Sequence, residues 1–164
     1  YPLRRQRQMC IRDRIVGEIT SALDNSLAAA EEARATATNK ENAAENKYDT
    51  LGLEAAYLAH GQSERVLQLE CDLAAYVALR ARLKDHTIIG VGSLLQLESE
   101  TGVSRFLFIG PASGGLVVSV QGVRVTVITT DSPLGKAVLG GGIDDDVSTG
   151  VVGSATKARI ADLW

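Results

Sequence analysis

Residues 51–84 read LGLEAAYLAHGQSERVLQLECDLAAYVALRARLK, and residues 85–97 continue DHTIIGVGSLLQL. The apolar period changes between these two strings, and that change decides the fold. In the first string Leu51, Ala55, Leu58, Val66, Leu69, Leu73, Tyr76 and Leu83 recur at steps that place them on one stripe of an α-helix. Gln62 falls within the stripe as a polar seam position. The helix is expected to run from about Asp49 or Thr50 to Leu83. Thr50 is its candidate N-cap, Glu54 suits the positive end of the dipole, and Arg80, Arg82 and Lys84 suit the negative end. At 1.5 Å per residue such a helix is about 50 Å long.

Upstream, Ile15 to about Asn46 is rich in Ala, Glu, Arg and Lys and has no Pro. Ile15, Ile19, Ala22, Leu23, Leu27, Ala30, Ala33 and Ala37 make a second narrow stripe. Two long helices with matching stripes and a short polar join predict an antiparallel coiled-coil hairpin. Stripes this narrow cannot bury a broad core, so the hairpin is expected to project.

Downstream of Lys84, Gly, Val and Thr rise and the apolar period shortens. Strands are expected at about Ile88–Leu97, Ser104–Ile109, Leu116–Val120, Val123–Thr129 and Val151–Asp162. Turns are marked by Glu100-Thr101-Gly102, by Gly110 through Gly115 and by Gln121-Gly122. Between the last two strands, Ser132 is a candidate N-cap, Pro133 fits the first helical position and Gly140 the position after the end of a short helix. The expected fold class is α+β: a helical hairpin over residues 15–84, then a small antiparallel sheet packed on a short helix over residues 85–164.

The 164 residues carry a formal charge of −3. The first 14 contribute five arginines against Asp13, so the remainder stands at −7. A body this acidic is not expected to bind duplex DNA through bulk charge, because phosphate binding works by displacing counterions with many Lys and Arg. The string Arg5-Gln6-Arg7-Gln8-Met9-Cys10-Ile11-Arg12-Asp13-Arg14 resembles translated sequencing-adapter sequence, with a basic nucleic-acid-binding arm as the alternative. Residues 1–14 are therefore set apart from the fold as a non-native segment. No stretch approaches the roughly 20 apolar residues that span a membrane. Cys10 and Cys71 are too few and too far apart for a disulfide framework, which points to a reducing cytoplasm. Cys71 is expected to pack as a small apolar side chain.

Several signals for other chemistry are weak. His60 and His86 lack partners at metal-ligand spacing. Gly135-Lys136 lacks the frame of a phosphate loop, and Gly140-Gly141-Gly142 reads as a turn. Asp144-Asp145-Asp146 lacks calcium-loop spacing and reads as a turn entering a strand. Ser113 and Ser132 have no His/Asp frame for nucleophilic catalysis.

Two separate segments carry a family resemblance. Glu32-Ala33-Arg34 is followed, after five residues, by Lys40-Glu41-Asn42-Ala43. Later, Ser132-Pro133-Leu134-Gly135-Lys136-Ala137-Val138-Leu139-Gly140 is followed by Asp144-Asp145-Asp146-Val147. In that order these resemble the hairpin tip and the C-terminal domain of the bacterial GreA/GreB transcript-cleavage factors, and this chain resembles a divergent member. The resemblance implies that the second domain is FKBP-like and holds the rim of the RNA polymerase secondary channel, while the hairpin enters that channel. Tip carboxylates then help hold the second Mg²⁺ and a water at the polymerase's own active site, as two-metal phosphoryl chemistry requires. The partner implied is RNA polymerase, with the RNA 3′ end engaged indirectly. The factor is not itself an enzyme, holds no cofactor alone, and is expected to be monomeric and away from membranes.

On this chain the family's tip Glu corresponds to Glu41, the candidate Mg²⁺ residue, while its Asp corresponds to Thr38, which carries no charge. Glu45 and Asp49 are further tip carboxylates, and Tyr48 reads as a packing residue. The polymerase-binding candidates are Ser132, Pro133, Leu134, Lys136, Gly140 and Asp145. Thr38 raises an alternative within the same fold, a channel competitor that does not stimulate cleavage. Two alternatives come from other classes. A peptidyl-prolyl isomerase needs an aromatic-lined pocket, for which the region offers only Phe106, Phe108 and Trp164. The other is a coiled-coil adaptor for an unrelated partner.

Overall fold

A computed structural model describes residues 2–38, 51–80, 87–148 and 157–164. Two long helices, α1 (Pro2–Thr38) and α2 (Leu51–Arg80), precede β1 (Leu94–Ser99), β2 (Ser104–Gly110), β3 (Val117–Val120) and β4 (Val123–Thr129). A short helix α3 (Pro133–Val138), β5 (Asp146–Ser148) and β6 (Lys157–Leu163) complete the order. The chain divides into two compact units. One contains residues 1–17 and 74–164, the other residues 18–73. The expected domain boundary at residues 84 and 85 lies outside the described residues.

In the helical unit the residues withdrawn from solvent lie on one stripe of each helix. On α1 they include Ile19, Ala22, Leu23, Ser26, Ala29, Ala30, Ala33, Thr36 and Ala37, and on α2 Gly52, Ala55, Ala59, Gln62, Val66, Leu69, Asp72 and Leu73, with positions recurring every seven residues. This 3.5-residue period belongs to a coiled-coil seam. It differs from the sequence reading at two places. Leu27 and Leu58, both expected inside, are 46% and 57% exposed, and the seam positions beside them are Ser26 and Ala59. Cys71, expected to pack, is also exposed, because it lies on the side of α2 away from the seam.

In the other unit the six strands form one sheet in the order β3-β4-β2-β1-β6-β5. All pairs are antiparallel except β2–β4, which is parallel. A wholly antiparallel sheet was expected. The departure arises because the chain leaving β2 skips one strand position to form β3 at the edge, and β4 then returns between them. The return is the two-residue turn Gln121-Gly122, with φ of 52° and 80°, the primed geometry that matches strand twist. The strand expected from Ile88 starts only at Leu94, because the backbone turns at Gly92 with φ 98°. β5 was not anticipated. The expected strand from Val151 is β6, and residues 149–156 lie outside the described set.

Alternation gives the sheet two faces. On one face Leu95, Leu97, Leu107, Ile109, Ile128 and Ile160 form the core with Val138, while Leu134 of α3 packs against it. The second face buries Leu94, Phe108, Val118, Val125 and Val127. Helical residues of the same unit, Ile11, Ile15 and Tyr76, are equally enclosed. Tyr76 donates its hydroxyl to the Ala112 carbonyl at 2.9 Å. Gly110 makes this approach possible, since a Cβ there would stand 2.2 Å from the Tyr76 hydroxyl.

The segment set apart in the sequence thus lies inside a helix and inside this unit. Arg12 donates from Nε to the Tyr76 carbonyl at 3.0 Å and pairs with Asp13. The bond joins an early residue of α1 to a late residue of α2 within this unit. The Arg7 guanidinium lies 5.4 Å from the Trp164 ring, within cation–π range. Gln8 is completely buried, and neither amide atom has a hydrogen-bond partner.

Candidate functional site

The end of β4 builds the N-terminus of α3. The Thr129 carbonyl accepts from the Ser132 backbone N–H at 3.1 Å and from its hydroxyl at 2.7 Å. Ser132 Oγ in turn accepts from the Gly135 N–H at 3.0 Å, satisfying one of the free donors of the first turn. Pro133, which has no N–H to leave unpaired, begins the helix. A Cβ on Gly135 would lie 1.9 Å from the Thr129 carbonyl oxygen, so only glycine fits there.

After α3, Leu139 N–H donates to the Gly135 carbonyl at 2.9 Å and Gly140 turns at φ 79°. Gly140 N–H then donates to the Ile89 carbonyl at 3.0 Å, and Ile89 N–H to the Gly141 carbonyl at 2.9 Å. These bonds fasten the segment before β1 to the end of α3. Asp145 Oδ2 accepts from the Gly142 N–H at 2.8 Å. Asp144, at φ 72°, forms the turn expected there, and Asp146 opens β5.

The six polymerase-binding candidates therefore fall on one continuous stretch but do different work. The Ser132 hydroxyl and the Asp145 carboxylate engage backbone groups, Leu134 leans on the core, and Gly140 reverses the chain. Pro133 and Lys136 face solvent. Beside them Ile88, Leu139 and Ile143 are 60%, 47% and 48% exposed. The sequence reading missed these three. Ile88 had been placed within a strand, and an exposed apolar residue carries no periodic signal of its own.

The tip candidates Glu41, Glu45 and Asp49, together with Tyr48 and Thr50, lie outside the described residues. Thr38 is the last residue of α1. Its hydroxyl donates to the carbonyls of Arg34 at 2.9 Å and Ala35 at 3.3 Å. Among the described residues no group of three or more His, Cys, Asp and Glu is placed to hold a metal ion, and no helix is long and apolar enough to cross a membrane.

The aromatic side chains of the sheet unit are engaged in packing. Phe108 is fully buried, and Phe106 stacks on Trp164 with ring centroids 6.3 Å apart. A surface cavity of about 390 Å³ is lined by Glu98, Ser99, Glu100, Asp146, Lys157, Ala158 and Arg159, with no aromatic ring. Arg159 reaches Glu98 at 3.7 Å and Asp144 at 3.4 Å across this charged surface.

No protein-family model matches the chain, and no curated protein matches it. Among solved structures it is similar to GreA factor homolog 1 (Gfh1) of Thermus thermophilus, at 20% identity over 91% of this chain and 94% of that one, with a TM-score of 0.38. It is similar also to Thermus aquaticus Gfh1, at 20% identity over 90% of this chain and 92% of that one, with a TM-score of 0.37. The prokaryotic elongation factor GreA/GreB from Nitrosomonas europaea aligns at 21% identity over 63% of this chain and 78% of that one, with a TM-score of 0.37.

Proposed function

We propose that this chain is a transcription elongation regulator of the GreA/GreB type, which binds RNA polymerase and carries its hairpin into the secondary channel. The observation that carries the reading is the coiled-coil seam, which continues on α1 to Thr36 and resumes on α2 at Gly52. The join between those points holds Lys40-Glu41-Asn42-Ala43, the segment that resembles the family's tip. The short helix with Ser132 and Pro133 at its start, in an FKBP-like module, is the proposed contact with polymerase. The catalyst is the polymerase. Glu41, with Glu45 or Asp49, would help hold the second Mg²⁺ of its active site.

Thr38 favours a second form of the same reading. Its hydroxyl is bound to the helix backbone, and a threonine supplies no charge to a hard cation. A chain built this way would occupy the channel without stimulating cleavage.

Purified RNA polymerase halted on a template separates the two. Faster shortening of the RNA 3′ end on addition of the chain, lost in Glu41→Ala and raised in Thr38→Asp, supports the cleavage factor. Unchanged cleavage, with displacement of a cleavage-stimulating Gre factor, supports the competitor. Failure of the chain to bind polymerase at all removes both forms.

A further inference from the structure

We infer that Arg105 of β2 and Arg124 of β4 form a docking site for a protein segment that carries paired carboxylates. The two arginines stand on neighbouring parallel strands, each one residue before the paired Phe106 and Val125. Side chains at matched positions of a parallel pair leave the sheet on the same face, and the strands are about 4.8 Å apart. The row continues to Ser119 on β3, opposite Arg124, and to Leu97 on β1, opposite Arg105. Both arginines and Ser119 are exposed, whereas Leu97 is buried. Neither guanidinium has a hydrogen bond or an ion pair among the described residues.

Like charges set side by side on neighbouring strands repel, and nothing in this row offsets them. The other face of the same sheet shows the contrast. There Arg159 lies opposite Glu98 and reaches the carboxylates of Glu98 at 3.7 Å and Asp144 at 3.4 Å. Arg105 and Arg124 lack such compensation, and an anion brought from outside supplies it. Two planar guanidinium forks suit two carboxylates, each held by parallel N–H donors. The Ser119 hydroxyl adds a donor at the end of the row. Val117, two residues earlier on β3 and so on the same face, is 42% exposed and offers an apolar neighbour to the stem of an acidic side chain. A nucleic acid fits less well, because its binding depends on many phosphate contacts, and residues 15–164 carry −7. The occupant is therefore an acidic segment of a partner protein. Neither arginine belongs to the proposed polymerase contact around α3, so this site is independent of that reading.

Fluorescence anisotropy on the full chain tests the site, with a fluorescein-labelled, end-capped peptide of four glutamates around one leucine as the probe at low salt. Arg105→Gln and Arg124→Gln should each weaken binding about tenfold, the effect of losing one charge-assisted partner. Arg159→Gln, on the other face, should leave the affinity unchanged. Arg124→Glu should abolish binding and at the same time raise the unfolding midpoint, because repulsion of Arg105 becomes attraction. A variant that merely failed to fold would lower that midpoint. No binding of the peptide by the wild type, equal weakening by Arg159→Gln, or tighter binding of a labelled oligo-uridylate than of the peptide would overturn the proposal.

Discussion

In the sheet unit Leu95, Phe108 and Ile160 are wholly enclosed. In the helical unit the seam mixes the small residues Ser26, Ala29, Ala33, Gly52, Ala55 and Ala59 with Ile19, Val66, Leu69 and Leu73, while Leu27, Leu53, Tyr57, Leu58 and Leu67 remain exposed. Enclosing a Leu or Phe side chain contributes about 1.5–3 kcal/mol, and a methyl group far less. The sheet unit thus gains its stability from large side chains gripped on two faces. The helical unit gains less from its many small seam positions and leaves several of its large apolar groups exposed. The contrast fits a division of labour, in which one unit holds a shape and the other presents a surface.

Four substitutions sharpen or break this contrast. The largest effect is expected for Phe108→Ala, which empties a fully buried ring site. It should cost about 3–5 kcal/mol in denaturant unfolding, and a loss below about 1 kcal/mol would mean that the second face of the sheet is not tightly packed. Next is Gly135→Ala, whose new Cβ collides with the Thr129 carbonyl. Overpacking of this kind costs about 1–3 kcal/mol, with the upper end expected because the obstacle is backbone. A change too small to measure would show that the turn before α3 yields.

A smaller effect, of opposite sign, is expected for Gln8→Leu. Gln8 occupies a fully enclosed site with neither amide atom bonded, and an unsatisfied buried amide costs about 1–3 kcal/mol. Replacing it with a residue of similar volume should raise the unfolding midpoint. A lower midpoint would mean that the amide has a role which the packing does not reveal. The smallest effect is expected for Leu27→Lys on the outside of α1, within about 0.5 kcal/mol of the wild type. A loss above 1 kcal/mol would place Leu27 in the seam after all.

Part of the candidate site could be read directly from the residues. Ser132, Pro133 and Gly140 each act locally: a hydroxyl caps a free N–H, a ring fixes φ, and a glycine turns left-handed. Such effects depend on a few neighbours in sequence, so they are visible there. The exposed group of Ile88, Leu139 and Ile143 depends on backbone bonds from Ile89 to Gly140 and Gly141, some fifty residues away in sequence, and leaves no local trace. Glu41, Glu45 and Asp49 remain expectations of the sequence.

Propensity, periodicity and capping are short-range, so the two helices, the change of period before the sheet, five of the six strands and the ends of α3 are legible in the residues alone. Tertiary structure alone decided three things. It chose Ser26 over Leu27 and Ala59 over Leu58, because a seam obeys the constant period of two paired helices and not the size of individual side chains. It made β2 and β4 parallel, because the hairpin of β3 and β4 folds back with β3 outermost. And it drew residues 1–17 into the sheet unit, because the second face of a sheet must be covered by whatever apolar surface the chain can bring to it.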